Sequence, residues 1–147
     1  MTAVALLDVN VLVALFDVDH IHHELAHRWF ADHRARGWAS CPLTENAFLR
    51  ILSSPRYGPR FTTISDLRVL IKQLRSSGYH EFWPDDISLV EDDLLRPEHM
   101  HGPQQLSDVY LLALAVWRGG RLVTLDRKIP LASVKGATRE HLDVITA

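Results

Sequence analysis

The sequence predicts a three-layer α/β fold, in which a mostly parallel central sheet of about five strands is flanked by helices. Short apolar segments alternate with helical segments along the chain, as they do in parallel sheets. The first strand candidate, residues 4–7, is apolar at consecutive positions, which is typical of a strand buried on both faces. That segment ends abruptly at Asp8, so a carboxylate is expected at the carboxyl edge of the sheet, where α/β proteins bind ligands.

Six segments have the periodicity or the end signals of helices. Gly37 and Pro42 illustrate these signals, because a glycine often follows a helix and a proline is tolerated in the first turn. Three polar residues are expected to cap helices through a side-chain oxygen: Asn10, Ser65 and Ser107. The predicted helices span residues 11–16, 22–36, 43–52, 66–76, 88–95 and 107–118.

The other predicted strands are short and lie at residues 38–41, 80–83, 121–125 and 142–145. Polar or Gly/Pro-containing segments at residues 17–20, 56–63 and 96–105 are predicted to be loops. The chain contains no internal repeat, low-complexity tract or linker, so the sequence predicts a single domain over residues 1–147.

The composition of the 147 residues is that of a globular protein, with 47% hydrophobic and 23% charged residues. The 16 basic and 18 acidic residues give a net charge of −2, which argues against a non-specific polycation. A single cysteine, Cys41, excludes an internal disulfide and favours a reducing, cytoplasmic setting. The N-terminal apolar run is interrupted by Asp8, Asn10 and Asp17, so neither a signal peptide nor a membrane span is expected.

Four acids have similar positions: Asp8 and Asp126 end strands, and Glu45 and Asp108 lie in first helical turns. A single acid at a helix N-terminus is also favoured by the helix dipole alone, which is an alternative explanation for the last two. Four carboxylates at one sheet edge would raise one another's pKa. Mg²⁺ or Mn²⁺ relieves such repulsion, activates water and neutralises a phosphoryl transition state, so phosphodiester hydrolysis is the predicted chemistry.

The four acids lie in segments that resemble the motifs of PIN-domain nucleases. These are Leu-Asp-Val-Asn at 7–10, Leu-Thr-Glu-Asn at 43–46, Leu-Ser-Asp-Val-Tyr at 106–110 and Leu-Val-Thr-Leu-Asp at 122–126. Over essentially the whole chain the resemblance is closest to the VapC toxins of bacterial type II toxin–antitoxin pairs. It implies a PIN-like fold and a Mg²⁺- or Mn²⁺-dependent endoribonuclease.

The resemblance also implies roles for individual residues. Asp8 and Asp108 look like the principal metal ligands, and Asp126 looks like a further ligand, either direct or through water. Glu45 looks like the acid that holds metal-bound water or takes a proton. Supporting positions are expected for three polar residues, the last as the cap of the helix that carries Asp108: Asn10, Thr124 and Ser107. Val9 departs from the family pattern, where Thr or Ser is frequent.

The resemblance further implies two protein partners, a cognate antitoxin and a second copy of the toxin in a homodimer. RNA is the implied substrate, and Arg50, Arg56 and Arg60 are candidate phosphate contacts near the aromatic residues Tyr57 and Phe61. An ordinary solvated surface with scattered positive charge is the alternative explanation for these arginines.

A rival motif lies at residues 23–27, His-Glu-Leu-Ala-His, which has the HExxH pattern of zinc metalloproteases. No clear third ligand follows it, and Leu25 and Trp29 rather than the histidines look like the buried face of this helix. A third class is a non-catalytic PIN-like RNA-binding module, which the presence of all four acids disfavours.

Overall fold

The structure, a computed structural model, describes residues 3–58 and 62–146. Its sheet has five strands in the order β3-β2-β1-β4-β5, and every neighbouring pair is parallel. The strands are β1 Ala5–Leu7, β2 Trp38–Ser40, β3 His80–Phe82, β4 Arg121–Thr124 and β5 Leu142–Val144. The predicted α/β class and parallel sheet are therefore confirmed.

Helices cover both faces of this sheet. The α-helices of the described residues are α1 Val9–Phe16, α2 His23–His33, α3 Pro42–Ser53, α4 Ile64–Ser76 and α5 Leu106–Trp117. One core cluster joins Leu7 and Val123 to α1, α2, α3 and α4. A second cluster joins Leu6 and Leu122 to α5. Adjacent strand residues point to opposite faces, so these two clusters form the two interfaces of a three-layer molecule. No helix in residues 3–58 and 62–146 is long and apolar enough to cross a membrane.

The central strand β1 is buried on both faces, because Ala5, Leu6 and Leu7 are at most 2% exposed. It pairs with β2 on one side and β4 on the other, and Leu7 lies opposite Val123. The amide of Asp8 continues the ladder by donating to the carbonyl of Val123 at 2.9 Å. The chain thus emerges at the carboxyl edge with Asp8 directly beside the end of β4.

The three predicted helix caps are wrong. Asp8, with extended backbone angles, caps α1 in place of Asn10, because the chain turns helical immediately after the strand. Thr63 caps α4 in place of Ser65, and its side chain accepts from the amide of Asp66. Ser107 lies inside α5, because a 3₁₀ turn at Pro103–Gln105 leads straight into the helix and leaves no extended capping residue.

Two predicted helices also differ from the structure. Residues 88–95 form turns rather than a helix, since the Ser88 hydroxyl accepts from the Val90 amide and Leu95 pairs with Val134. The α2 helix ends at His33, and a 3₁₀ turn, Arg34–Arg36, completes the predicted segment. The predicted loop at 56–63 begins with the end of a 3₁₀ turn, and its residues 59–61 lie outside the described residues.

The Gly120→Ala variant is expected to be destabilised by roughly 1–3 kcal/mol. A Cβ at this position would lie 2.5 Å from the carbonyl oxygen of Val4 and 2.6 Å from the Trp83 ring. The carbonyl belongs to the chain beside β1 and cannot move without disturbing the central strand. Urea unfolding measures the effect. Gly119→Ala is a comparison without a clash, because nothing lies within 4 Å of its Cβ position, and its own cost comes from a φ of 68° that Gly120 does not share. Equal stability of Gly120→Ala and wild type would contradict this packing.

Candidate active site

Asp8 is the most constrained acid of the site. Its side chain is 5% exposed, and Oδ1 accepts from the Val9 amide at 2.7 Å. Its Oδ2 accepts from the Thr124 hydroxyl at 2.7 Å. Burial raises the pKa of Asp8, the hydrogen bonds from Thr124 and Val9 act in the opposite direction, and the charge of Asp126 raises it further. The carboxylate is therefore fixed in one orientation at the end of β1.

The Thr124 hydroxyl connects three predicted site residues. It donates to Asp8 and accepts from the Asn10 side-chain amide at 3.2 Å and from the Asp126 backbone amide at 3.0 Å. A hydroxyl has one donor and two acceptor positions, so this group is fully used. Asn10 completes the network because its oxygen accepts from the Leu125 amide at 3.2 Å. The structure thus connects Asp8, Asn10 and Thr124 directly.

Asp108 lies in the first turn of α5 and completes a group of three aspartates. Its pKa is raised to about 6, first by burial, then by the charges of Asp8 and Asp126 and by a hydrogen bond with Asp126. Among the described residues, none of the three aspartates has an ion pair with Lys or Arg. The result is an uncompensated negative cluster at the carboxyl edge.

The cluster opens into a pocket of about 370 Å³ that is lined by Asp8, Asn10 and Asp108 together with Val9, Val13, His20 and Ile51. Asp126 is not among the residues that line this pocket, but it is hydrogen-bonded to Asp108, and its Oδ1 accepts from the Lys128 amide at 2.8 Å. Within residues 3–58 and 62–146, no three His, Cys, Asp or Glu side chains have the spacing of a ready-made metal centre. The donors are carboxylates with the right chemistry for a hard cation, but their side chains are not already gathered around one point.

Glu45 lies at the same sheet edge, in the first turn of α3, but its carboxylate has other partners. Its Oε2 accepts from the Ser40 hydroxyl at 2.6 Å and lies 3.3 Å from Nη1 of Arg75. Ser40 in turn accepts from Nε2 of His80 at 2.8 Å. Glu45 is not among the charges that raise the pKa of Asp8 or Asp108. The structure therefore brings three of the four predicted acids together and gives the fourth a separate network.

Sequence reasoning missed the residues of this second network. Ser40 is fully buried in β2, and burial together with the charge of Arg75 lowers the pKa of His80 to about 4. The contact between Ser40 and His80 follows only from the strand register, because Ser40 is paired with Phe82 and His80, two residues earlier, is its diagonal neighbour on the same face of the sheet. The sequence contains no local signal that connects these residues with Glu45.

Two of the predicted RNA-binding arginines, Arg50 and Arg56, line a second open pocket with Tyr57, Ser54 and Ile51. Ile51 also lines the aspartate pocket, so the two pockets are adjacent. Arg60 and Phe61 lie outside the described residues.

The histidines of the HExxH motif have a structural role. Nδ1 of His23 donates to the carbonyl of Ala14 at 2.7 Å, and Nε2 of His27 donates to the carbonyl of Leu15 at 3.0 Å. Both carbonyls belong to the last turn of α1, where helix carbonyls lack partners within the helix. The motif therefore caps α1. The zinc-site interpretation is disfavoured because, within residues 3–58 and 62–146, no group of three His, Cys, Asp or Glu side chains that includes His23 or His27 is arranged to hold a metal ion.

His23→Ala is expected to lower the stability of the protein by about 1 kcal/mol, because a carbonyl at the end of α1 loses its donor. RNA cleavage at a temperature where the variant is folded is expected to stay at the wild-type rate. Thermal unfolding and an activity assay of the same preparation test both statements. Unchanged stability of His23→Ala would contradict the capping role, and loss of activity in the folded variant would show that the role of His23 is not purely structural.

The family model for "PIN domain" matches residues 5–135. This range includes all four predicted acids, both arginine positions described above and every strand except β5. The chain therefore belongs to the PIN-domain family.

Curated relatives from Mycobacterium tuberculosis narrow this assignment. The chain is 46% identical to Ribonuclease VapC44 over 138 residues, which are 94% of this chain and 96% of the relative. It is 47% identical to Ribonuclease VapC38 over 83% of this chain and 84% of the relative, and 39% identical to Ribonuclease VapC39 over 83% and 88%. Within the PIN-domain family the chain is thus a member of the VapC group, as the motifs predict.

Thr124→Val is expected to reduce RNA cleavage by roughly 10- to 100-fold, the usual effect of losing a group that orients a catalytic side chain. Valine keeps the shape of the buried side chain but removes the hydrogen bond to Asp8 and both acceptor positions. A cleavage assay tests this, and Thr124→Ser, which keeps the hydroxyl, is the matched control. Wild-type cleavage by a folded Thr124→Val protein would show that this network does not position Asp8.

Proposed function

We propose that this protein is a metal-dependent endoribonuclease that cleaves RNA phosphodiester bonds at the aspartate pocket. The observation that carries the proposal is the cluster of Asp8, Asp108 and Asp126, which has no cationic partner among the described residues. The relatives named as ribonucleases agree with this activity.

Asp8, Asp108 and Asp126 would hold Mg²⁺, with Mn²⁺ as a substitute. A divalent cation bound there would supply charge neutralisation for the phosphodiester and promote ionisation of water. The chain's own contribution is orientation, because the Thr124 hydroxyl holds Asp8 and the Asn10 amide holds Thr124. Asp108 has to lose its proton, and its raised pKa of about 6 means that the metal-free site retains protons below that pH.

The side chains have to rearrange to gather around one cation, since they do not form a ready-made centre among the described residues. A bound cation would stabilise the ionised carboxylate of Asp108 most, because its attraction would offset the repulsion from the charges of Asp8 and Asp126. Asp8 is held by two hydrogen bonds and would be the fixed reference point of the site.

Glu45 would accept a proton or orient water, and Ser40 would set the direction of its carboxylate. Its pairing with Arg75 has to loosen before the carboxylate can turn towards the aspartate pocket. An RNA phosphate is a suitable competitor for that arginine, because guanidinium groups bind phosphate as well as carboxylate.

RNA would enter along the adjacent arginine pocket. Arg50 and Arg56 would contact phosphates and Tyr57 would contact a base or sugar, while Ile51 forms the boundary between the two pockets. Arg60 belongs to the same proposal on sequence grounds only.

Membership of the VapC group supports a biological role as the toxin of a toxin–antitoxin pair in a bacterial cytoplasm. We propose that a cognate antitoxin neutralises the nuclease and that the toxin forms a homodimer. Expression in a bacterial host, alone and with the protein encoded beside it, tests neutralisation through growth. Light scattering of the purified protein tests the dimer.

The nuclease activity is tested by incubating the purified, antitoxin-free protein with a pool of structured RNA in Mg²⁺, Mn²⁺, Zn²⁺ or chelator. Cutting that requires Mg²⁺ or Mn²⁺ and persists in His23→Ala supports the proposal. Activity that requires Zn²⁺ and is lost in His23→Ala, together with casein hydrolysis, would indicate the protease class instead. Binding of the pool without cutting under any metal would indicate the binding-module class.

A further inference from the structure

One residue of the aspartate pocket belongs to none of the predicted motifs. His20 lines this pocket with Asp8, Asn10 and Asp108, although it lies in the turn between α1 and α2. The described side chains of the pocket include no Lys or Arg. A phosphodiester that enters such an acidic pocket is repelled by the carboxylates, and an N–H donor of the protein would add to the charge neutralisation that a bound cation would supply.

The hydrogen bonding of the turn determines which ring nitrogen of His20 is a donor. Nδ1 accepts from the backbone amide of His22 at 3.0 Å. A neutral imidazole that accepts at Nδ1 carries its hydrogen on Nε2. Within the part of the chain that the structure describes, Nε2 has no hydrogen-bond partner, so its N–H is available to a ligand.

The turn that carries His20 is anchored before any ligand binds. Its amide donates to the carbonyl of Asp17 at 3.0 Å, and its carbonyl accepts from the His23 amide at 3.0 Å. The Asp17 carboxylate accepts from the phenol of Tyr57, which lines the arginine pocket. Asp17 therefore connects His20, which lines the aspartate pocket, with Tyr57, which lines the arginine pocket.

We propose that His20 is an RNA-binding residue that donates a hydrogen bond from Nε2 to a phosphate oxygen of the substrate at the aspartate pocket. This proposal rests on the proposed nuclease function. In this proposal the RNA backbone contacts His20 in the aspartate pocket and the arginines in the neighbouring pocket, so it is bound on two sides of the site.

Two substitutions separate contact with RNA from a purely structural role of the turn. His20→Gln places an amide N–H near the position of Nε2 but loses the acceptor for the His22 amide. His20→Asn keeps an acceptor near Nδ1 and loses the distant donor. If His20 binds RNA, kcat/KM for the RNA cut by the wild type falls by roughly 10-fold or more in His20→Asn and is largely retained in His20→Gln. A structural role predicts the opposite order.

The assay uses the structured RNA pool, Mg²⁺ and all variants at a temperature where thermal unfolding shows each to be folded. His22→Gln, which keeps the backbone amide of the turn, is the matched control and is expected to cut at the wild-type rate. Equal kcat/KM for His20→Asn and wild type, or lower activity of His20→Gln than of His20→Asn, would overturn the proposal. A weaker Mn²⁺ affinity in His20→Asn would also overturn it by assigning His20 to the metal. Failure of the wild type to cut RNA would instead overturn the proposed function.

Discussion

Asp8→Asn is expected to abolish RNA cleavage, with a fall in kcat of roughly 10³-fold or more. Charge stabilisation by a bound cation contributes several kcal/mol to such a reaction, and each 1.4 kcal/mol corresponds to about tenfold in rate. Asparagine has nearly the same shape and keeps an oxygen for the Val9 amide, so the fold is expected to persist. The change removes the one carboxylate of the cluster whose orientation is already fixed at both oxygens.

The control for Asp8→Asn is Asp32→Asn, which makes the same chemical change on the exposed side of α2. Its cleavage rate is expected to equal that of the wild type. Circular dichroism and thermal unfolding establish that both variants are folded. Residual cleavage within tenfold of the wild type in a folded Asp8→Asn protein would remove this residue from the catalytic site.

Asp108→Asn is expected to lose activity and to gain stability when metal is absent. Burial and two neighbouring carboxylates raise the pKa of Asp108 to about 6, above its ordinary value of 3.8. Below pH 3.8 both folded and unfolded chains are protonated here, so this residue does not affect stability. As the pH rises towards 6 the unfolded chain releases the proton first, and the folded protein loses stability.

Asp108→Asn has no carboxyl group to ionise and does not lose stability in this way. Its free energy of unfolding therefore exceeds that of the wild type increasingly as the pH rises from about 4, and the difference is complete above pH 6. With allowance for solvent screening the gain is about 1 kcal/mol, or roughly 3 to 5 °C in Tm. Thermal unfolding in chelator at pH 3.5 and pH 7.5 measures it. A variant that is no more stable than the wild type at pH 7.5, while Asp32→Asn is unchanged at both pH values, would contradict the electrostatic account of the cluster.

The central strands β1 and β4 were predictable because burial on both faces produces apolar positions next to one another in the sequence. Residues 4–7 are an apolar run and residues 121–125 are mostly apolar, both have a length that suits strands, and each segment is directly followed by an aspartate. Parallel pairing then brings those ends to one edge, so the proximity of Asp8 and Asp126 follows from the topology. The predicted position of Asp108 in a first helical turn is also confirmed.

The helix starts were harder to predict, because several polar residues near each start compete for the capping position. Asp8 caps α1 through a local contact and also accepts a hydrogen bond from Thr124 on a distant strand. A local sequence pattern contains no information on the second contact, so it could not show that Asp8 is the cap. Ser107 loses the capping role to the preceding 3₁₀ turn, whose shape depends on the packing of a long loop.

The partners of Glu45 and of the HExxH histidines could not be derived from spacing. Arg75 lies thirty residues after Glu45, and their ion pair depends on how α4 packs against α3. His23 and His27 have the spacing of a zinc motif, but the end of α1 lies beside them and provides two carbonyl acceptors. In both cases the tertiary neighbour, which no local pattern contains, determines the role of the side chain.

The central claim is that Asp8, Asp108 and Asp126 form a divalent cation site. Electron paramagnetic resonance of Mn²⁺ titrated into the metal-free protein measures this without knowledge of the target RNA. The account predicts saturable Mn²⁺ binding by the wild type and by Asp32→Asn, with competition by Mg²⁺, and binding at least tenfold weaker in Asp8→Asn. Equal Mn²⁺ binding by the wild type and a folded Asp8→Asn protein would contradict the claim.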